Sequence, residues 1–293
     1  MRIGTHNVNG IRATLVRGFR DFWDGAAADV IAVQEVRCRA GDLPLWGFDG
    51  WHATLELGHL PGRNGVAVLT KAPPVAVRTL HGGALHRVAD GRVEEISSSG
   101  VGGRDLRPFA TEGRYVEVDL ADAPLRVASL YLPKGAAWPY DGLGEEKYRR
   151  KMRFLRGLRR QLRESRLDAQ AQGREFLVMG DFNIAHQQLD LKNWRGNQRS
   201  EGFLPEEREW FSSILGPRTL VDVVRRHTGD VSGPYSWWSW RGQSFTGDIG
   251  WRIDYHLASP GLARSATSTW TAREPQYEHR MSDHCPVIVD YAI

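Results

Sequence analysis

Cysteine is nearly absent from this chain. Two occur in 293 residues, Cys38 and Cys285, too few for the disulfide framework of a small secreted fold. No apolar run is long enough to span a bilayer, which argues against a helical membrane protein and against a membrane partner. The opening "MRIGTHNVNG" has no apolar leader core and enters a strand-like pattern at once, so a cytoplasmic protein is expected. No short-period repeat, disordered tail or linker divides the chain. A single domain over 1–293 is expected, monomeric and with 41% hydrophobic residues to build its core.

Charge of either sign is not extreme. The net value of +4 mildly favours an anionic partner. Much of the excess sits in "KYRRKMRFLRGLRRQLRESR", residues 147–166, where Met152, Leu155, Leu158 and Leu162 recur at helical spacing. One face of that helix packs and the remainder is basic. The ordinary reading is a solvated face, so the run alone is weak evidence for nucleic acid.

Apolar or alternating runs recur between turn signals: "ADVIAVQE", "NGVAVLTK", "RYVEVDL", "LRVASLYLP", "EFLVMGDFN", "WRIDYHLAS" and "CPVIVDYAI". Helices are expected at "RGFRDFWDGA", in the basic run, and at "PEEREWFSSIL", which opens with Pro205 and two glutamates. The pattern is that of a layered α/β protein. Residues 81–113 are Gly-rich and polar with little periodicity, and are expected to form an excursion or flap.

The ends of these strands carry the chemistry. In "VMGDFN", Asp181 and Asn183 stand two positions apart and so share a face if the strand continues. They either cap a turn, as Asp and Asn commonly do, or form half of a site. Other strand ends bring Asn7 and Asn9, Gln34 and Glu35, Tyr131 with Pro133 and Lys134, Asp254, and Asp283 with His284. Taken singly, each asparagine could cap a turn, Tyr131 could be packing, and His284 could be a satisfied polar residue. Glu35 and Asp181 are harder to dismiss, because each closes an apolar strand where an unpaired charge is costly. A divalent cation resolves that cost. Oxygen ligands without Cys or paired His motifs point to Mg²⁺ or Mn²⁺ rather than zinc.

With these motifs in view, the sequence resembles the exonuclease III branch of the endonuclease/exonuclease/phosphatase family, which includes abasic-site endonucleases of DNA repair. The landmarks run end to end: "NVNGIRA", "DVIAVQE", "GVAVLTK", "YLPKG", "GDFNIA", "LDLKNWRGN", "GFLPEEREW", "LVDVVR", "GWRIDYHLAS" and "SDHCPV". "GDFN" is shared across the superfamily, including lipid phosphodiesterases, whereas the block Leu189 to Trp210 is particular to the branch and carries the substrate assignment.

The resemblance implies a two-sheet β-sandwich flanked by helices in four layers, with a metal-dependent site at one edge. It implies that Glu35 holds Mg²⁺ or Mn²⁺ with Asn7 nearby, and that Asp181, Asn183, Asp283 and His284 complete the metal surroundings. Asp181 would deprotonate the attacking water, Asn183 would contact the phosphate, and His284, paired with Asp254, would stabilise phosphate charge. Tyr131 would sit against the scissile phosphate, and as a phenolate it is the alternative base or nucleophile. Trp237, Trp251 and Ile253 would wall a small apolar pocket for a deoxyribose lacking its base, where the ordinary reading of such crowded rings is a packed aromatic core that some of them serve. Arg12, Lys134, Lys192, Arg195 and Arg252 suit phosphate contacts, which position DNA without reading sequence.

Three positions depart from the family pattern. His6 stands where relatives often carry Trp or Phe, Lys134 where they often carry Asn or Gln, and Asn9 where some carry Asp. The expected activity is cleavage 5′ to abasic sites in double-stranded DNA, 3′→5′ exonuclease action, or both. A phosphodiesterase or phosphatase of the same fold with a non-DNA substrate is the alternative, since fold does not fix substrate.

Overall fold

The computed structural model describes residues 1–60 and 62–293. Its strands are β1 (Arg2–Asn7), β2 (Val30–Gln34), β3 (His52–Glu56), β4 (Val66–Thr70), β5 (Ala76–Leu80), β6 (Leu85–Ala89), β7 (Arg92–Ile96) and β8 (Ser99–Val101). They continue with β9 (Tyr115–Asp119), β10 (Leu125–Tyr131), β11 (Glu175–Asp181), β12 (Val221–Asp222), β13 (Asp254–Ala258), β14 (Ala266–Thr271) and β15 (Val287–Tyr291). The α-helices are α1 (Ile11–Val16), α2 (Phe19–Ala26), α3 (Gly142–Ala171), α4 (Pro205–Ile214), α5 (Val223–Thr228) and α6 (Pro260–Ser265).

Two mixed sheets result. The first runs β14-β15-β1-β2-β4-β3-β6-β7 and the second β12-β13-β11-β10-β9-β5-β8. Strand alternation decides which side chains meet. In β2, Val30 and Ala32 join the cluster between the sheets, while Ile31 and Val33 face outward to Phe19 and Trp23 of α2. In β11, Leu177 and Met179 point between the sheets, and Phe176 and Val178 point to Phe154, Leu155 and Leu158 of α3. Central strands are therefore apolar on both faces, which is why they read as continuous runs. The layers are helix, sheet, sheet, helix, as the resemblance implies.

A small polar relay joins the sheets under the functional edge. Thr5 donates to Gln34, whose amide donates to Ser129 of the opposite sheet at 3.0 Å. The sequence pattern did not announce β3, β5 or β14. The 81–113 segment is not an unstructured flap: β6 and β7 form a hairpin on the first sheet, and β8 pairs with β5 of the second.

Candidate active site

Strand polarity gathers the expected residues. β1 and β2 run parallel, as do β10 and β11, so Asn7, Gln34, Tyr131 and Asp181 all lie at carboxyl ends. β13 and β15 run antiparallel to these neighbours, which brings Asp254 at the start of one, and His284 just before the other, to the same edge. In register, Tyr131 pairs with Asp181 and Asp181 with Asp254 across three adjacent strands. Gly180, at φ 137°, bends the chain before Asp181; a Cβ there would stand 2.1 Å from the Leu130 carbonyl oxygen, which leaves glycine as the residue that fits.

The turn cap expected of Asp181 and Asn183 is present. The strand stops at Asp181, Asn183 adopts φ 48°, and its backbone N–H donates to Asp181 Oδ1 at 2.8 Å. The other carboxylate oxygen accepts from Asn7 Nδ2 at 2.9 Å and from Asn183 Nδ2 at 3.2 Å. Asn7 Nδ2 also donates to Glu35 at 2.8 Å, tying the two carboxylates. Glu35 lies at φ 55° just beyond β2 and ion-pairs with Arg37.

His284 Nδ1 stands 2.8 Å from Asp254 Oδ2, and Nε2 points at Asp181, 3.8 Å away. Ser236, which the sequence reading passed over, donates to the same Asp254 oxygen at 2.6 Å and fixes its rotamer. Burial works against the imidazolium, but Asp254, then Asp181 and Asp283, outweigh it and raise the His284 pKa to about 10. Burial beside Asp254 and Glu35, against the pull of His284, raises Asp181 to about 7. Burial and the neighbouring Glu35 and Asp181 keep the Tyr131 phenol well above its usual range.

Glu35, Asp181 and His284 each offer an atom within 4.8 Å of the others. Three buried carboxylates, those of Glu35, Asp181 and Asp254, crowd this edge, and the oxygen-rich donor set fits a hard divalent cation. His284 offers Nε2 to this group, because its Nδ1 is taken up by Asp254 at 2.8 Å. Asp283 lines the same pocket but is not one of the three. Its oxygens accept from Asn9 at 2.8 Å and from Trp237 Nε1 at 3.1 Å, which anchors the loop before β15.

These groups line a pocket of about 370 Å³ together with Trp237, Trp251, Ile253, Lys134, Ser200, Glu201 and Gly202. The two tryptophans meet edge to face with ring centroids 6.2 Å apart. Lys134 is exposed and 3.6 Å from Glu201, while Arg12, Lys192 and Arg195 are exposed outside the pocket lining. Arg252 is a correction. It is fully buried, with Nε 2.7 Å from Asp190 and Nη2 2.8 Å from Asp222, so its charge is consumed in the interior and no phosphate reaches it.

A buried lysine underlies the pocket. Lys151 of α3 donates to the carbonyls of Asn183 at 2.9 Å and Lys134 at 3.0 Å, and ion-pairs with Glu207 at 2.6 Å. Glu207 in turn accepts from the backbone N–H groups of Gly202 and Leu204. One signal for it was present: Lys151 lies four residues before Leu155 and seven before Leu158, on the apolar stripe.

The model of the endonuclease/exonuclease/phosphatase family matches residues 4–284. The chain belongs to that family. It is 31% identical to an exodeoxyribonuclease of Bacillus subtilis (strain 168), over 98% of both chains. It is 29% identical to the DNA repair nuclease APEX1 of Danio rerio, over 100% of this chain and 83% of that one. Among solved structures, an AP endonuclease from Archaeoglobus fulgidus superposes with a TM-score of 0.79 at 23% identity, covering 100% of each chain. Against the family pattern, His6 is buried, stacks on Phe19 and lies 3.3 Å from the His284 carbonyl. It supports the loop before β15 from behind, and burial lowers its pKa to about 3.

Proposed function

We propose that this protein is a Mg²⁺- or Mn²⁺-dependent DNA nuclease that hydrolyses the phosphodiester 5′ to abasic sites, 3′-terminal nucleotides of duplex DNA, or both. The observation that carries this reading is the convergence of Glu35, Asp181, Asn183 and the Asp254–His284 pair on one pocket. The branch-specific stretch 189–210 supplies Ser200, Glu201 and Gly202 to its wall. The names of the relatives, an exodeoxyribonuclease and a DNA repair nuclease, support the same substrate class.

Glu35 and Asp181, with the Asn7 amide between them, would hold the cation, which supplies Lewis-acid masking of phosphate charge and stabilisation of the leaving oxygen. The remaining work belongs to side chains. Asp181, at the meeting point of Asn7, Asn183 and His284, takes the proton of the attacking water. Asn183 and the His284 imidazolium, held by Asp254 at 2.8 Å, donate toward phosphate oxygens as they gain charge. Each such donor is typically worth ~3–4 kcal/mol of barrier. Tyr131, protonated because burial and two carboxylates oppose its ionisation, donates as a neutral phenol, which favours Asp181 over a phenolate as the base.

Trp237, Trp251 and Ile253 form the apolar wall for a sugar without a base. An abasic nucleotide costs little to extrude, which adds selectivity. Three substrates test the reading: an abasic duplex, a blunt duplex and a lipid phosphodiester, each with Mg²⁺ and with chelator. Cleavage of DNA that chelator abolishes is expected. Preferential lipid hydrolysis, or DNA cleavage undiminished by chelator, overturns it.

A further inference from the structure

Two sequence features remain unused by the pocket: the arginine-rich helix and the Gly-rich segment before it. The structure packs them together. Gly157, buried in the middle of α3, lets the 103–109 segment approach; a Cβ there would stand 2.8 Å from Leu106 and 3.0 Å from Asp105. Glycine is a poor helix residue, and here it permits that close packing. The result is a groove of about 820 Å³ bordered by Arg104 on one side and by Arg153, Arg156 and Arg160 on the other, with Asp105 as the one carboxylate in its lining.

The charges are unequally matched. Asp105 is shared by Arg156 at 2.9 Å and Arg153 at 3.6 Å. Arg160 leans on Glu164 at 2.7 Å, and Arg104 has no ion pair among the described residues. Gly142–Ala171 holds ten basic residues against four acidic ones, an excess larger than the +4 of the whole chain. Arg149, Arg153, Arg156, Arg160 and Arg163 repeat every three or four residues along one stripe of about 21 Å, or about six base-pair rises.

A chain of contacts joins the start of the stripe to the pocket. Arg153 also lines a second hollow with Arg149, Arg150, Glu145 and Glu146. Arg150 pairs with Glu112, Glu112 with Arg114 at 2.8 Å, and Arg114 donates to the Tyr131 carbonyl at 3.2 Å. Guanidinium groups match phosphate oxygens in fixed two-pronged geometry. We propose that the groove between α3 and the 103–109 segment is a second nucleic-acid contact, which binds the phosphodiester backbone of the strand beyond the active site. The proposal rests on the nuclease reading above. It gives the Gly-rich segment a task, as the wall that turns a solvated helix face into a channel.

Salt dependence of binding tests it, in chelator so that cleavage plays no part. The probes are a duplex of about 30 base pairs with a central abasic site and one of about 11 that spans the pocket alone. Each phosphate contact contributes about 0.9 to the slope of log affinity against log salt. The variant Arg104→Ser/Arg153→Ser/Arg160→Ser should therefore have a slope shallower by about 2.7 on the long duplex and unchanged on the short one. Between 50 and 200 mM salt, the wild type should lose about 40-fold more affinity for the long duplex than the variant does. Arg104→Gln, at a residue with no ion pair, should lose about one contact without risk to folding. Single-turnover cleavage at saturating short duplex should be equal for wild type and variants. Equal slopes on the long duplex overturn the proposal, as does weaker binding of a polyglutamate peptide to the variant with an unchanged DNA slope. Absence of cleavage with Mg²⁺ in the wild type would instead sink the nuclease reading, and leaves the slope comparison readable.

Discussion

Replacing Lys151 by methionine removes a charge that the interior has arranged itself around. The side chain is wholly buried, with its ammonium spent on the Asn183 and Lys134 carbonyls and on Glu207. Methionine keeps most of the volume and none of the bonding, so Glu207 becomes an uncompensated buried carboxylate. Loss of one partner of such a pair costs about 3–5 kcal/mol. A second effect is local. Asn183 and Lys134 both line the pocket, and a shift of ~1 Å in a reacting group can cost ~10²-fold in rate.

The two effects separate in a pair of variants. Lys151→Met should lose both stability and single-turnover rate. Lys151→Met/Glu207→Gln should regain most of the stability, because no net charge stays buried, yet remain slow because both carbonyls still lack their donor. Urea unfolding and single-turnover cleavage at saturating DNA, well below the melting temperature, give the two numbers. A double variant restored to the wild-type rate would show that Lys151 merely balances Glu207, and the positioning argument would be wrong.

Two further outcomes follow from buried groups. Arg252→Met leaves Asp222 unpaired and Asp190 with Arg225 as its remaining ion-pair partner; it should lower stability by ~3–5 kcal/mol while DNA affinity of the folded variant is unchanged. Weaker DNA binding at full stability would return Arg252 to the interface. His256 is buried against Tyr291 and the Val287 carbonyl, and burial lowers its pKa to about 4. Between pH 6.5 and 4 the unfolded chain takes a proton there that the folded one refuses. Its stabilising share is therefore present above pH 6.5 and is lost as pH falls, by up to about 3 kcal/mol. His256→Asn should close the stability gap to wild type as pH drops from 7 to 4.5, and a constant gap in urea unfolding refutes the argument.

The chemistry was legible where a strand ended in a charge it could not afford alone. Glu35 and Asp181 stood out for that reason, and the parallel strand pairs brought them together. Ser236 gave no such signal, since a serine between aromatic residues has many ordinary uses. Arg252 was misassigned by adjacency. Trp251 and Ile253 face the pocket, and alternation turns the residue between them to the opposite side, into the Asp190 and Asp222 cluster. The 81–113 segment did contain its hairpin in plain sight: Asp90 and Gly91 both adopt positive φ between β6 and β7, and Asp-Gly is a strong turn signal for two-residue hairpins. The strands themselves alternate weakly because β7 is largely exposed.

The most direct test of the central claim is single-turnover cleavage of an abasic duplex by Asp181→Asn, with DNA affinity measured separately in chelator. Asp181 is buried at the meeting point of Asn7, Asn183 and His284, and an amide cannot take the proton of the attacking water. The account expects a rate loss of ~10²-fold or more with little change in affinity. A variant that cleaves at nearly the wild-type rate would contradict it, and would move the base to another group.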